Sequence, residues 1–540
     1  MFSQLVATAL YAIGLAPLLA SAQFPVTGVP GAAENGAVPA RRNVNDLYAE
    51  RGPQWDLYVQ ALSSFQARNA SDPLGYFQIS GIHGLPYTEW NHGGAENNDG
   101  WGGYCPHGEA LFLPWHRTYV LLFEQLLVQY AIEIASKYPA AYRSQYMEAA
   151  NTLRSPYWDW SADSNVPACT VPSRVTINAP RGEGLATIEV NNPLSQYSYP
   201  VEALRQQFGE FPQSPGTMFR CPAPDRYPES ANLAMQSFSL KEATYDLFFS
   251  SISFHEFAVD GRVHHLEELH DKVHLAAACQ TSSFSGTDLS GFEPLFMLHH
   301  THVDRLWAYW QFIKPAQASF CHSYPGGSRF STPQGTMIHF NSPLQPFFRR
   351  DLTYHTPKSV RHIQGMGYTY QGLEYWQKSA QQLREDAIQI INRLYAPSTA
   401  FAKRDVEKVK TRHFAHIELD RAQVERPCSV KVFIGGETAS TMPVMRFPAS
   451  GKIRSGLAMD KFFDDMASNR TLQSIENLFE VEIRKADGSI IPLSKVDSLK
   501  ITLEEASITL AKSHMEFPTI SDSKKHDAKI KPHSKGEEGH

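Results

Sequence analysis

Helical periodicity of apolar positions appears in four stretches of this chain, 117–137, 264–279, 298–313 and 376–395, and predicts α-helices there. Between them run stretches rich in Pro, Gly and Asn, notably 161–235 and 314–365, which predict loops. From about 411 the period drops to two. RHFAHIELD (412–420), CSVKVFIG (428–435), FEVEIR (479–484) and SLKITLEE (498–505) alternate and end in turn residues. They predict a small β-sandwich over 411–515. Beyond 516 Lys, His, Ser and Glu dominate, and 516–540 reads as a disordered tail. The fold class expected is mainly α: a helix bundle with extensive loops over 46–395, then the β domain. AlaProSerThr at 396–399 opens a linker, 396–410, that holds Lys403-Arg404 as a candidate dibasic processing site. No internal repeat is visible.

The N-terminus changes the picture of where the protein goes. An apolar run from about Leu5 to Leu19 is followed by Ala20-Ser21-Ala22, a small-residue cleavage site before Gln23. Residues 1–22 therefore read as a secretory signal peptide. The run falls short of the ~20 residues of a membrane span, and no other segment reads as one. Residues 23–45, rich in Pro, Gly and Ala with Arg41-Arg42, read as a loose lead-in or short pro-segment. Asn69 and Asn469 open sequons compatible with a secreted, extracellular or cell-wall location. Of 540 residues, 42% are hydrophobic and 19% charged, which is ordinary for a globular chain. A net charge of -6 without a long basic patch gives no footprint for nucleic acid. Six cysteines leave the fold to stand mainly on its core.

Histidine carries the chemistry. Of 22 His, 12 fall in two windows, 83–116 and 255–302. His270 and His274 are four apart, about 40° of helix rotation, so both imidazoles leave one face. His300 completes a three-nitrogen set if its helix packs alongside. His107 and His116 are nine apart, about 900°, and cannot share a helix face. His107 is placed on a loop, His116 in the first turn after Pro114, and His83 on an earlier element. Imidazoles of this kind suit copper, zinc, iron or nickel. Zinc is the runner-up: 270–274 lacks the Glu of HExxH, and a single zinc site leaves one set idle. Glu267 is a helical neighbour of His270 at i, i+3, and Asp304 of His300 at i, i+4. Asp304 reads either as orienting an imidazole or as a salt-bridge partner.

CPHGEALFLPWHRTYVLLFE at 105–124 resembles the first copper signature of tyrosinases, and EPLFMLHHTHVD at 293–304 the second, with Glu293 where the family usually has Asp. PYWDW at 156–160 and GYTY at 367–370 resemble further tyrosinase segments. Matching runs extend from about 52 to 395, and the long C-terminal arrangement is similar to secreted fungal forms. The resemblance implies a four-helix type-3 core holding two copper ions, with dioxygen as co-substrate. One copper falls to His83, His107 and His116, the other to His270, His274 and His300. It implies a thioether between Cys105 and His107. Glu267 takes the position of a carboxylate that holds a basic water. Asp271 stands where strong monophenolases have Asn. The C-terminal domain is implied to cover the site until cleaved by an activating protease, with an aromatic as substrate mimic; Phe433 is the candidate plug. The implied activity is o-hydroxylation of monophenols and oxidation of o-diphenols to o-quinones, in melanin or phenolic metabolite formation. The alternatives are a catechol or o-aminophenol oxidase with weak hydroxylation, or a hemocyanin-like oxygen carrier.

Overall fold

The architecture is built around two helices that are apolar nearly all round. Phe112–Ala135 starts with Pro114 in its first turn and buries Phe112 through Glu124 without a gap. Leu295–Ile313 follows Pro294 and buries every residue except Phe312. Such all-round burial marks central helices. The two pack on each other, with Pro53–Gln66 against the first and Ala380–Tyr395 against the second. In this computed structural model the described residues are 23–30, 35–97, 100–279, 282–397, 400–401, 409–464 and 475–533. The 1–22 leader, Lys403-Arg404, Asn469 and the last residues of the tail lie outside them.

Local signals set the helix ends. Leu266–Ala277 opens on a capping box in which His265 accepts from the Glu268 N–H and the Glu268 carboxylate accepts from the His265 N–H. Ser379 and Gln382 form another, which starts Ala380–Tyr395 a turn later than the apolar pattern alone suggests. Phe112–Ala135 is also long and apolar enough to cross a membrane, contrary to the expectation that no segment past the leader is, but 67% of its apolar window is buried inside the protein. Apolar composition here marks a core helix.

Two expectations are corrected. The described residues of the lead-in, 23–30 and 35–45, are not loose. Val26 is buried and its N–H donates to the Phe348 carbonyl at 2.8 Å. Arg41 is fully buried and reaches Glu124 at 2.7 Å and Asp304 at 2.9 Å. Its Pro/Gly/Ala composition hid these anchors. The 161–235 stretch also carries an antiparallel hairpin, Arg174–Arg181 with Gly184–Asn191. It packs through Val175 and Ile177, and the Trp55 indole donates to the Thr176 carbonyl.

The C-terminal part is a two-sheet sandwich. One sheet orders Thr519–Asp527, Lys500–Thr509, Val409–Asp420 and Lys452–Ala458. The other orders Ile490–Ile491, Phe479–Lys485, Cys428–Ile434 and Glu437–Val444, with Lys531–Pro532 added alongside Phe479–Lys485. Ile417, Leu419, Val430, Val432, Ile483 and Leu503 fill the space between them. The described part of the tail, 516–533, is therefore not disordered. Thr519–Asp527 is a polar edge strand held by backbone pairing to Lys500–Thr509, which composition does not register. Phe414, Ala506 and Ile508 alternate with these and join the helical core instead, so the outer face of the sheet that holds Val409–Asp420 packs on the bundle. At the junction a Cβ on Gly456 would lie 1.5 Å from the Val263 carbonyl oxygen, a contact only glycine permits.

Candidate metal centre

Six histidines converge where the bundle meets the sandwich. His83 follows the short helix Tyr76–Gly81, His107 lies on a loop, and His116 is in the first turns of Phe112–Ala135. His270 and His274 are one turn apart on Leu266–Ala277, with ring centroids 4.5 Å apart, and His300 is on Leu295–Ile313. The His83, His107 and His116 rings lie 5.2 to 5.6 Å from one another. The two sets face each other: His116 stacks on His300 at 4.4 Å and His107 on His270 at 5.9 Å.

The outer nitrogens are pinned. His83 Nδ1 meets the Thr287 carbonyl at 3.1 Å, His116 Nδ1 the Phe112 carbonyl at 2.8 Å, and His274 Nδ1 the Phe284 carbonyl at 2.8 Å. His270 Nδ1 meets the Asp271 carboxylate at 3.0 Å. A carbonyl accepts only from N–H, so Nδ1 carries the proton in the first three and Nε2 keeps its lone pair. The Nε2 atoms of His83 and His116 are buried without a partner, and those of His270 and His300 approach to 3.2 Å. Burial holds His83 and His270 down at about 3, so both are neutral at physiological pH. Buried, neutral, inward lone pairs with their far nitrogens fixed are what a metal requires of imidazole. The donor set fits copper held by nitrogen. His299 joins this cluster: its ring stacks on His270 at 4.9 Å and neither of its nitrogens has a partner. The His299–His300 pair was visible in the sequence, but spacing to Asp304 directs attention to His300 alone.

The two acids are here as well. Glu267 Oε1 accepts from the Gly108 N–H at 2.6 Å, while Oε2 is buried without a partner. Burial, then the Asp271 charge, pushes the Glu267 carboxyl well above its usual range. Burial lifts Asp271 to about 7 against the opposing pull of Arg421. Cys105 is buried with its Sγ 3.1 Å from the His83 carbonyl. Its sulfur and a ring nitrogen each of His83 and His107 lie within 4.8 Å of one another.

Two candidates are elsewhere. Asp304 orients no imidazole; it takes Arg117 at 2.5 Å, Arg41 at 2.9 Å, and the Tyr368 and Tyr370 hydroxyls at 2.8 and 2.7 Å. The salt-bridge reading holds, because two arginines reach it inside the core first. Phe433 is not the plug. It lies in Cys428–Ile434 and stacks on His533 at 3.7 Å. Phe447, Met445 and Arg421 line the histidine pocket in its place. They sit on turns between strands, where no periodicity singles them out. Asn69 is exposed, its side-chain oxygen accepting from Ser71. Of the cysteines, Cys221 and Cys279 form a disulfide, and Cys105, Cys169, Cys321 and Cys428 are free.

The profile described as the common central domain of tyrosinase matches residues 73–313, which contain all six histidines. A tyrosinase of Podospora anserina is 32% identical over 430 residues, 73% of this chain and 72% of its own length. The chain belongs to the tyrosinase family. A Neurospora crassa tyrosinase is 31% identical over 395 residues, covering 66% of this chain and 56% of that protein. Recombinant mushroom tyrosinase shares the fold over 95% of this chain and 100% of its own, with a TM-score of 0.80 at 20% identity. The fold shared with that tyrosinase thus includes the sandwich as well as the bundle.

Proposed function

We infer that this tyrosinase-family chain is a copper-dependent phenol oxidase. It o-hydroxylates monophenols and oxidises o-diphenols to o-quinones with dioxygen. The observation that carries the reading is the pair of facing imidazole sets, in which carbonyls hold the proton of His83, His116 and His274 on Nδ1 and leave Nε2 free for a metal. When bound, a copper pair supplies the activation of dioxygen and the two-electron chemistry that amino acids lack. His83, His107 and His116 would hold one ion, and His270, His274 and His300 the other.

The remaining work belongs to the chain. Glu267 faces the pocket with one oxygen anchored on Gly108 and the other free to accept a proton, the role of a base toward a phenol hydroxyl. Asp271 fixes the ring of His270. Cys105, close to a ring nitrogen of His107, is read as its thioether partner, which would lock that loop histidine. Phe447 and Met445 close the pocket against water and substrate, so the full-length chain is a latent form. Cleavage near Lys403-Arg404 by a protease would release the sandwich. The leader and the sequons at Asn69 and Asn469 support secretion.

Copper per chain together with oxygen uptake on a monophenol and a diphenol, before and after limited proteolysis, tests the reading. The expected result is copper at both sites, oxidation of both substrates and a rise on proteolysis. Oxidation of diphenols alone is the second reading, a catechol or o-aminophenol oxidase, which Asp271 in place of Asn favours. Reversible oxygen binding without turnover would make the chain a carrier, and zinc in place of copper would overturn the assignment.

A further inference from the structure

The sandwich does more than shield the pocket; it brings a specific pair of groups into it. Phe447 lines the same pocket as His83, His107, His270 and His274, with its ring packed on Trp101 at 4.5 Å. Arg421 lines the same pocket, on the side of Glu267 and Asp271. A Cβ on Gly108 would lie 3.0 Å from an Arg421 guanidinium nitrogen, and the Gly108 N–H is bonded to Glu267. The guanidinium therefore stands over the anchored end of Glu267, whose second oxygen is buried and unpartnered. A ring and a cation enter together.

The surroundings have the same polarity. Across the junction the bundle offers acids and the sandwich arginines: Asp246 to Arg412 at 2.7 Å, Asp288 to Arg446 at 2.5 Å, and Asp260 to Arg454. Asp288 follows Thr287, which lines the pocket, and Arg454 lines the cavity next to it beside Glu267 and Asp271. One contact runs the other way, Arg262 of the bundle to Glu504. The bundle cations nearby are already paired, Lys272 with Glu268 at 2.5 Å and Arg329 with Glu109. Opening the junction thus uncovers a mouth edged by Asp260 and Asp288.

We propose that the preferred substrates of this site are phenols that carry a protonated amine, and that phenols carrying a carboxylate are disfavoured. The Phe447 ring and the Arg421 guanidinium together mark the volume and the charge such a molecule fills. The inference rests on the phenol-oxidase reading above and adds the charge class of the substrate.

The test uses the copper-loaded full-length chain opened by R421A/F447A, with the wild-type full-length chain nicked by low protease as a second route should that variant misfold. Three catechols differing in charge are compared: 3,4-dihydroxyphenethylamine, 4-methylcatechol and 3,4-dihydroxyphenylacetate. The expected kcat/KM ratio of amine to carboxylate is about tenfold at low ionic strength and shrinks with added salt. D260N/D288N in the nicked chain, where release of the sandwich removes Arg446 and Arg454, lowers that ratio. Equilibrium dialysis of tyramine against 4-hydroxyphenylacetate on metal-free opened chain, a readout independent of turnover, follows the same order. Turnover of 4-methylcatechol with no preference for amine over carboxylate overturns the charge inference and leaves the enzyme reading intact. No turnover of any of the three, on protein carrying copper, removes the enzyme reading and this inference with it.

Discussion

The two histidine sets reach the same end by different means. His270, His274 and His300 come from two helices, and the first pair is fixed by helix geometry alone. His83, His107 and His116 come from three separate elements, two of them not helical at the histidine. Their rings are oriented one at a time, His83 by the Thr287 carbonyl and His116 by the Phe112 carbonyl. Thr287 lies in the stretch that joins the two helices of the second set, so the first set is partly built by the second. A helix supplies two ligands from one spacing; a loop ligand needs a tertiary contact for each ring. The second set also carries the acids, Glu267 and Asp271, on the same helix. Metal binding and proton handling are thereby concentrated on Leu266–Ala277.

Substitutions can break this contrast at graded strength. H274F and H116F each remove one imidazole from one set. Each is expected to lower bound copper from two ions to one and oxygen uptake by at least about 10³-fold; retained copper at both sites would show that His299 or another donor substitutes. E267Q leaves the ligands in place and removes the base. Monophenol hydroxylation is expected to fall about 10²- to 10⁴-fold with copper content unchanged, as read by kcat and metal analysis. D271N keeps a side chain beside His270 without the charge. It is expected to raise the rate on a monophenol relative to a diphenol, by up to about tenfold, and an unchanged ratio would remove Asp271 from the account. D304N acts outside the site: it leaves the buried Arg117 without a carboxylate partner, while Arg41 keeps Glu124. Stability is expected to drop by about 3–5 kcal/mol in denaturant melts, with copper stoichiometry preserved in the folded fraction. F433A, away from the pocket, is expected to leave oxygen uptake within about twofold, whereas F447A raises it in the uncleaved chain.

Legibility in the sequence follows the same divide. The i, i+4 histidines and the all-apolar helices around them are periodic, and periodicity reports helices and their faces. His107 and His116 could be separated by arithmetic, but only their motif context assigned them to one ion. Arg421 and Phe447 were not legible. Both lie on connections between strands, and what makes them functional is how the sandwich seats on the bundle, through contacts such as Gly456 on Val263. The sequence leaves Asp304 open between a histidine and a cation because helix spacing shows which residues are near, not which partner wins. Here Arg41, from a segment read as a loose lead-in, and Arg117 hold it. The Thr519–Asp527 strand escaped for a related reason. Its side chains face solvent, and its order comes from backbone bonds that composition does not encode.

The most direct test is the metal content of the purified full-length protein. The account predicts two copper ions per chain, both lost together with activity on chelation and both restored on reloading. One ion or none per chain after copper loading, or zinc bound in preference to copper, would contradict it.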